Sequence, residues 1–243
     1  MIKRMGAGIQ SILRLYFFGF MMVRVDNLAK YYGNRAVLEG VTFNVNRGDM
    51  LGIFGPKGSG KTTLIRILTA YTPPSKGQVM IAGYDVCANS MEVRKRVGYL
   101  PANASLYTDL TVQDYLDFVA QLRKIVRRQE RVEEVLTLLN LTHWREVLIG
   151  KLSEGTRRRV GIAQTLLHRP DVIILDEPTQ ALDPVQIVET HQLIKQLRPH
   201  YTIILSSQSL SEIEQLCNRG LFLNQGRLMA EDTPARLVAR LEA

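Results

Sequence analysis

Only two cysteines occur in 243 residues, Cys87 and Cys217, and they form no paired motif. That argues against a disulfide framework or a zinc site and suits a reducing compartment. The four histidines (His143, His168, His191 and His200) are scattered without metal-ligand spacing, so structural or surface roles are expected for each. Long apolar runs are missing too. Ile9 to Met22 is rich in apolar residues, but Gln10, Ser11 and Arg14 interrupt it and it is too short to span a bilayer. Lys3 and Arg4 precede it, yet no small-residue cleavage site follows, which disfavours a secretory signal. Residues 1–20 read as a leader with three open roles: an amphipathic docking segment, a disordered leader, or residues ahead of a start at Met21 or Met22. With no spanning segment, any membrane role requires a partner.

Acidic residues are in deficit, 23 against 31 Lys and Arg, for a formal charge of +8. Such a balance fits nucleic acid, an anionic membrane surface, or nucleotide binding and solubility. The basic clusters Lys124, Arg127, Arg128, Arg131 and Arg157, Arg158, Arg159 read as solvated helix faces. Neither is interleaved with aromatics that would stack bases, so no nucleic-acid partner is expected. The 46% hydrophobic and 22% charged fractions are those of a globular protein, long enough to bury a full α/β core.

Beyond residue 21 the pattern is that of an α/β domain. Val23 to Asn27 and Val41 to Val45 alternate like half-buried strands, and Asp49 to Phe54 is a short apolar strand entering a glycine-rich loop. A helix is expected over Lys61 to Ala70, then strands at Gln78 to Ile81 and Arg96 to Leu100. Between about Thr111 and Leu152 apolar residues recur at helical spacing, which marks a helical sub-lobe of about 104–168 inserted in the core. A helix over Ser153 to His168 follows, then a buried strand at Val172 to Leu175, a helix after Pro184, a strand at Thr202 to Leu205 and a helix from Leu210. This alternation implies a mainly parallel sheet with helices on both faces.

Two segments carry chemistry. GPKGSGKTT, which is Gly55, Pro56, Lys57, Gly58, Ser59, Gly60, Lys61, Thr62 and Thr63, satisfies the phosphate-loop pattern between a strand and a helix. Its glycines let successive N–H groups face phosphate oxygens, and the helix adds its positive end. Lys61 suits the β and γ phosphates, and the Thr62 hydroxyl suits Mg²⁺. VIILDEPT puts Asp176 and Glu177 at the carboxyl end of a buried strand, Asp176 for the metal and Glu177 to polarise an attacking water.

Together with LSEGT (Leu152 to Thr156), these segments resemble the ATP-binding-cassette family over nearly the whole chain from Met22. GYLPANASLYTDLTVQDYL and RPDVIILDEPTQALDP look most like the ATPase subunits of ABC-2-type exporters. The resemblance implies a P-loop NTPase core spanning 21–243, with an antiparallel β lobe near the N-terminus. It implies ATP and Mg²⁺ as ligands, a head-to-tail dimer with a second ABC ATPase subunit, and an integral membrane permease as partner. The chain would then sit peripherally on the cytoplasmic face of the inner (plasma) membrane. Tyr32 would stack on adenine, or be a surface tyrosine beside a turn. Ser153 and Gly155 would face the other subunit's γ-phosphate, although Ser153 also reads as a helix N-cap. Asp183 would touch the partner, or cap the helix after Pro184.

Four positions depart from the family's pattern. Ala102 stands where a glutamine or glutamate is usual, Gln208 replaces the switch histidine, and Glu154 enters the signature; Arg158 also replaces a usual glutamine. Glutamine still donates a hydrogen bond but cannot carry imidazolium charge. With Glu177 and Gln208 as the catalytic pair, binding groups are intact while sensing groups are altered. This predicts slow turnover at this P-loop and the weakly hydrolysing place in a heterodimer. A different class, a non-transport ABC ATPase of a soluble assembly or repair machine, is the alternative.

Overall fold

The computed structural model describes residues 21–241, so the expectations for residues 1–20 lie outside it. The described residues begin with a long hairpin, β1 (Met21–Tyr32) and β2 (Arg35–Asn46), closed by the two-residue turn Gly33-Asn34. Both strands run well past the expected limits. Register shifts within β1, around the left-handed Asn27, break the period-2 alternation that would otherwise have revealed its length. β4 (Lys76–Ile81) pairs antiparallel with β1, and β5 (Tyr84–Asp85) with β4, to complete a four-stranded antiparallel sheet, β2-β1-β4-β5. β4 begins two residues earlier than its apolar residues suggest. Gly77 passes there against the β1 backbone, where a Cβ would lie 2.3 Å from the Asn27 carbonyl oxygen.

The second sheet has the order β10-β9-β3-β8-β7-β6. Its strands are β3 (Met50–Phe54), β6 (Val97–Leu100), β7 (Val172–Asp176), β8 (Thr202–Ser207), β9 (Arg219–Asn224) and β10 (Arg227–Asp232). All neighbours are parallel except β9 and β10. Continuous apolar runs such as VIIL and TIIL are explained by burial of both faces. Ile173 and Leu175 enter one core with Met50, Phe54, Ile203 and Leu205; Val172 and Ile174 enter the other with Leu51, Ile53 and Ile204. Period-2 side-chain alternation thus splits each strand between two hydrophobic layers.

One layer lies against the antiparallel sheet and α1 (Lys61–Leu68). The other holds the helical sub-lobe: α3 (Val112–Leu122), α4 (Arg128–Leu138) and α5 (Glu154–Leu166), which follow α2 (Ser90–Arg96). α6 (Pro184–Leu197), α7 (Leu210–Leu216) and α8 (Pro234–Leu241) complete the order. The fold is therefore α/β, with the mainly parallel sheet and antiparallel lobe anticipated.

The basic clusters are a correction. Arg158 is buried, and Arg131 turns inward to donate to the Leu166 and Leu167 carbonyls while pairing with Glu134. Helical spacing alone does not say which arginine of a run meets the free carbonyls at a neighbouring helix end. Two histidines have structural partners: His191 meets Glu212, and His168 Nε2 lies 3.0 Å from the Val97 carbonyl, its pKa pushed down by burial to about 4.

Candidate functional site

Sheet register brings the chemistry to one edge. Phe54 is opposite Ser207, and Asp176 is opposite Ser206, so β3, β8 and β7 end together at their carboxyl termini. β3 lies between β8 and β9, and open α/β sheets bind ligands at such an edge. Phe54 stacks on Phe222 of β9 with ring centroids 5.1 Å apart, which anchors the base of the loop that follows.

That loop, Gly55 to Gly60, wraps the start of α1. A Cβ on Gly55 would stand 2.0 Å from the Leu223 carbonyl oxygen, so only glycine fits. Gly58 and Gly60 have φ of 83° and 109°. No side chain caps α1, leaving its first amides directed at the loop's concavity. Lys61 is buried and donates to the Gly55 and Pro56 carbonyls at 2.7 and 3.2 Å. Its Nζ is also 3.8 Å from Glu177 Oε1. Burial lowers the Lys61 pKa, and Glu177 and Asp176 oppose that shift. Ser59 Oγ is buried with no hydrogen-bond partner among the described residues. An orphaned hydroxyl beside uncapped amides and a lysine is a site built for an anion, so these residues fit a nucleotide phosphate. Thr62 and Thr63 open the helix, Thr62 exposed, while Pro56 and Lys57 form the exposed outer rim.

Asp176 is buried at the end of β7. Burial raises its pKa; the Ser206 hydroxyl, donating at 2.5 Å, and the nearby Lys61 oppose the rise. Glu177 adopts φ 48°, a left-handed turn of the kind costing about 1–3 kcal/mol that recurs at functional sites. Its N–H donates to Ser206 Oγ at 3.0 Å and to the Ser206 carbonyl at 3.2 Å. Burial raises the Glu177 pKa, against the effects of Lys61 and of the Gln208 amide on its carboxylate. A carboxylate with a raised pKa, held beside a lysine, suits general-base work. The structure thus brings together Lys61, Asp176, Glu177 and Gln208. Ser206, which holds both acids, was not singled out from sequence; the signal available was a serine pair, Ser206-Ser207, ending a buried strand.

A second group missed in the sequence surrounds Glu212, a buried carboxylate in α7. Thr179 donates to its Oε1 at 2.7 Å and Ser207 to its Oε2 at 2.5 Å, and His191 Nε2 is 3.2 Å from Oε1. Ser207 in turn accepts from the Ser209 N–H at 2.9 Å. Exposed Gln208 is therefore carried on two anchored serines.

The other predicted residues lie apart from this edge cluster in their contacts. Tyr32, at the hairpin tip, is 48% exposed with Lys30 Nζ 5.1 Å from its ring centroid. Ser153 caps α5 by accepting from the Thr156 N–H at 3.2 Å, and Asp183 caps α6 through Val185 and Gln186 at 3.0 and 2.9 Å. Gly155 packs on Gln186 of its own chain, where a Cβ would come within 2.9 Å of the side chain. Glu154 is exposed and pairs with Arg157 at 2.7 Å.

Comparison with known proteins agrees with this geometry. The family model for ABC transporters matches residues 38–180. The chain is 37% identical over 212 residues to "Bacitracin transport ATP-binding protein BcrA" of Bacillus licheniformis, covering 86% of this chain and 69% of that protein. It is 34% identical over 218 residues to "Lipopolysaccharide export system ATP-binding protein LptB" of Escherichia coli K12, covering 87% and 90%. Among solved structures, cbiO1 from Clostridium perfringens, part of the ABC transporter complex cbiONQ, superposes with a TM-score of 0.84 at 26% identity over 92% of both chains. A dimeric post-hydrolysis cassette bound to ADP and Pi gives 0.77 at 25% identity, covering 88% of this chain and 99% of that one. A phosphate loop, a strand-end Asp-Glu pair and an inserted helical sub-lobe on this scaffold make the chain a member of the ABC transporter ATP-binding family.

Proposed function

We propose that this chain dimerises around Mg·ATP to drive an integral membrane permease, in export, as the weakly hydrolysing member of a heterodimer. The observation that carries the reading is one sheet edge with a complete binding set and an altered sensing set. Lys61, Ser59 and the α1 amides hold phosphates, Glu177 is poised as base, but Ala102 has no polar side chain and Gln208 stands at the switch position. Thr62 and Asp176 would hold the Mg²⁺, which supplies charge neutralisation on the phosphates. Tyr32 would cover the base, and Ser153 and Gly155 would complete the second subunit's site, with Asp183 at the contact. No helix among the described residues is long and apolar enough to cross a membrane; in this reading the chain sits peripherally on the cytoplasmic face and the permease spans the bilayer. Relatives named for bacitracin transport and lipopolysaccharide export support the exporter reading.

Losing one positioned transition-state donor costs about 10²–10³ in rate. The purified chain alone is therefore expected to bind a fluorescent ATP analogue and to turn it over slowly, with the residual rate abolished by Glu177→Gln. Ordinary transporter rates from the homomeric protein, insensitive to Glu177→Gln, would refute the weak-site reading. Affinity purification from native membranes tests the partner: a multi-spanning protein and a second cassette are expected, and a purely soluble assembly would overturn the transport role.

A further inference from the structure

Arg158 is a buried cation, 7% exposed, on the first half of α5. Burial lowers its pKa, yet a guanidinium stays charged under all ordinary conditions, so its place has to be secured by acceptors. Both hydrogen-bond acceptors are backbone carbonyls on different loops. Nη1 donates to the Ala102 carbonyl at 3.0 Å and Nη2 to the Gln180 carbonyl at 3.3 Å. Ala102 lies just beyond β6; Gln180 lies three residues after Glu177 and three before Asp183. The planar fork of arginine reaches the two acceptors from separate nitrogens, whereas lysine and glutamine carry all their donors on one.

The rest of α5 is fixed to the same strand. A Cβ on Gly161 would meet the Leu100 side chain at 2.8 Å, and one on Gly98 would meet the Thr165 carbonyl at 2.4 Å. α5 and β6 are thus in close contact along two turns, and Arg158 continues that contact into the two loops. Ala102 offers no polar side chain of its own, so its carbonyl is the handle by which α5 holds this loop.

We propose that Arg158 is a positioning residue of the ATP site, clamping the loop after β6 and the loop after Glu177 to the helix that Ser153 caps. A displacement of either loop would then be felt by the other and by the Ser153–Gly155 end of α5. This rests on the reading of Glu177 as the hydrolytic base. A misplacement near 1 Å can cost about 10²-fold in rate.

The test uses the full chain with Arg158→Gln, Arg158→Lys and the control Arg159→Gln, whose native arginine pairs instead with Glu189 on the surface. Arg158→Gln should lower kcat about tenfold or more, with the Kd for a fluorescent ATP analogue changed less than about threefold, and Arg158→Lys should recover part of the loss. Hydrogen exchange should rise in residues 101–106 and 178–182, but not in the phosphate loop 55–63. Unchanged exchange in both loops, or kcat and affinity falling together with the folded fraction, would overturn the clamp. The exchange readout does not need turnover: a wild-type chain without hydrolysis would refute the role of Glu177 and leave the exchange result to decide on Arg158.

Discussion

Glu212→Ala removes the acceptor on which three segments converge: Thr179 downstream of Asp176 and Glu177, His191 in α6 and Ser207 at the end of β8. The carboxylate is buried, so water cannot replace it without opening the packing around α7. Truncating one side of a buried charged network costs about 3–5 kcal/mol, because the remaining donors lose their partner. For a domain of this size about 2–4 °C of Tm accompanies each kcal/mol, so the variant should melt about 6–20 °C lower by circular dichroism. Glu212→Gln keeps the shape and one acceptor oxygen and should lose only about 1 kcal/mol. At a temperature where each variant remains folded, ATP affinity should stay within about threefold while kcat falls further, since Ser207 and Ser209 carry Gln208 and the phosphate loop makes none of these bonds. Melting of Glu212→Ala within about 2 °C of the wild type would refute the network's structural role. A parallel loss of affinity and kcat in Glu212→Gln would refute its selective effect on the switch segment.

Gly55→Ala should yield insoluble or severely destabilised protein, since the added methyl would meet the Leu223 carbonyl at 2.0 Å; soluble expression and two-state melting check this. Tyr32→Ala should weaken ATP binding about tenfold and Tyr32→Phe should not, because base stacking contributes about 1–3 kcal/mol and needs the ring rather than the hydroxyl; fluorescent-nucleotide titration reads the difference. Gln208→His should raise kcat at least tenfold without changing ATP affinity by more than about threefold, by restoring a group that can carry a proton beside Glu177; steady-state phosphate release measures it.

The chemistry most legible in the sequence is local. The phosphate loop is contiguous, and its glycines, lysine and threonines mean the same thing before and after folding, because the groups suited to phosphate belong to one strand–loop–helix turn. Asp176 and Glu177 were readable because four apolar residues mark the buried strand that ends on them. Ser153 and Asp183 are seen as helix caps for the same reason: a cap acts within three residues. The long hairpin was only half visible, since the bulged register at Asn27 breaks the alternation that signals a strand. What tertiary structure alone decided depends on partners far apart in the chain. Ser206 becomes the holder of both acids only when β8 pairs with β7. Glu212 becomes a hub only when α7 packs beside β8 and α6. Arg158, which helical spacing and charge assign to a solvated run, is drawn inside because two loops, 56 residues before it and 22 after it, present their carbonyls to one guanidinium.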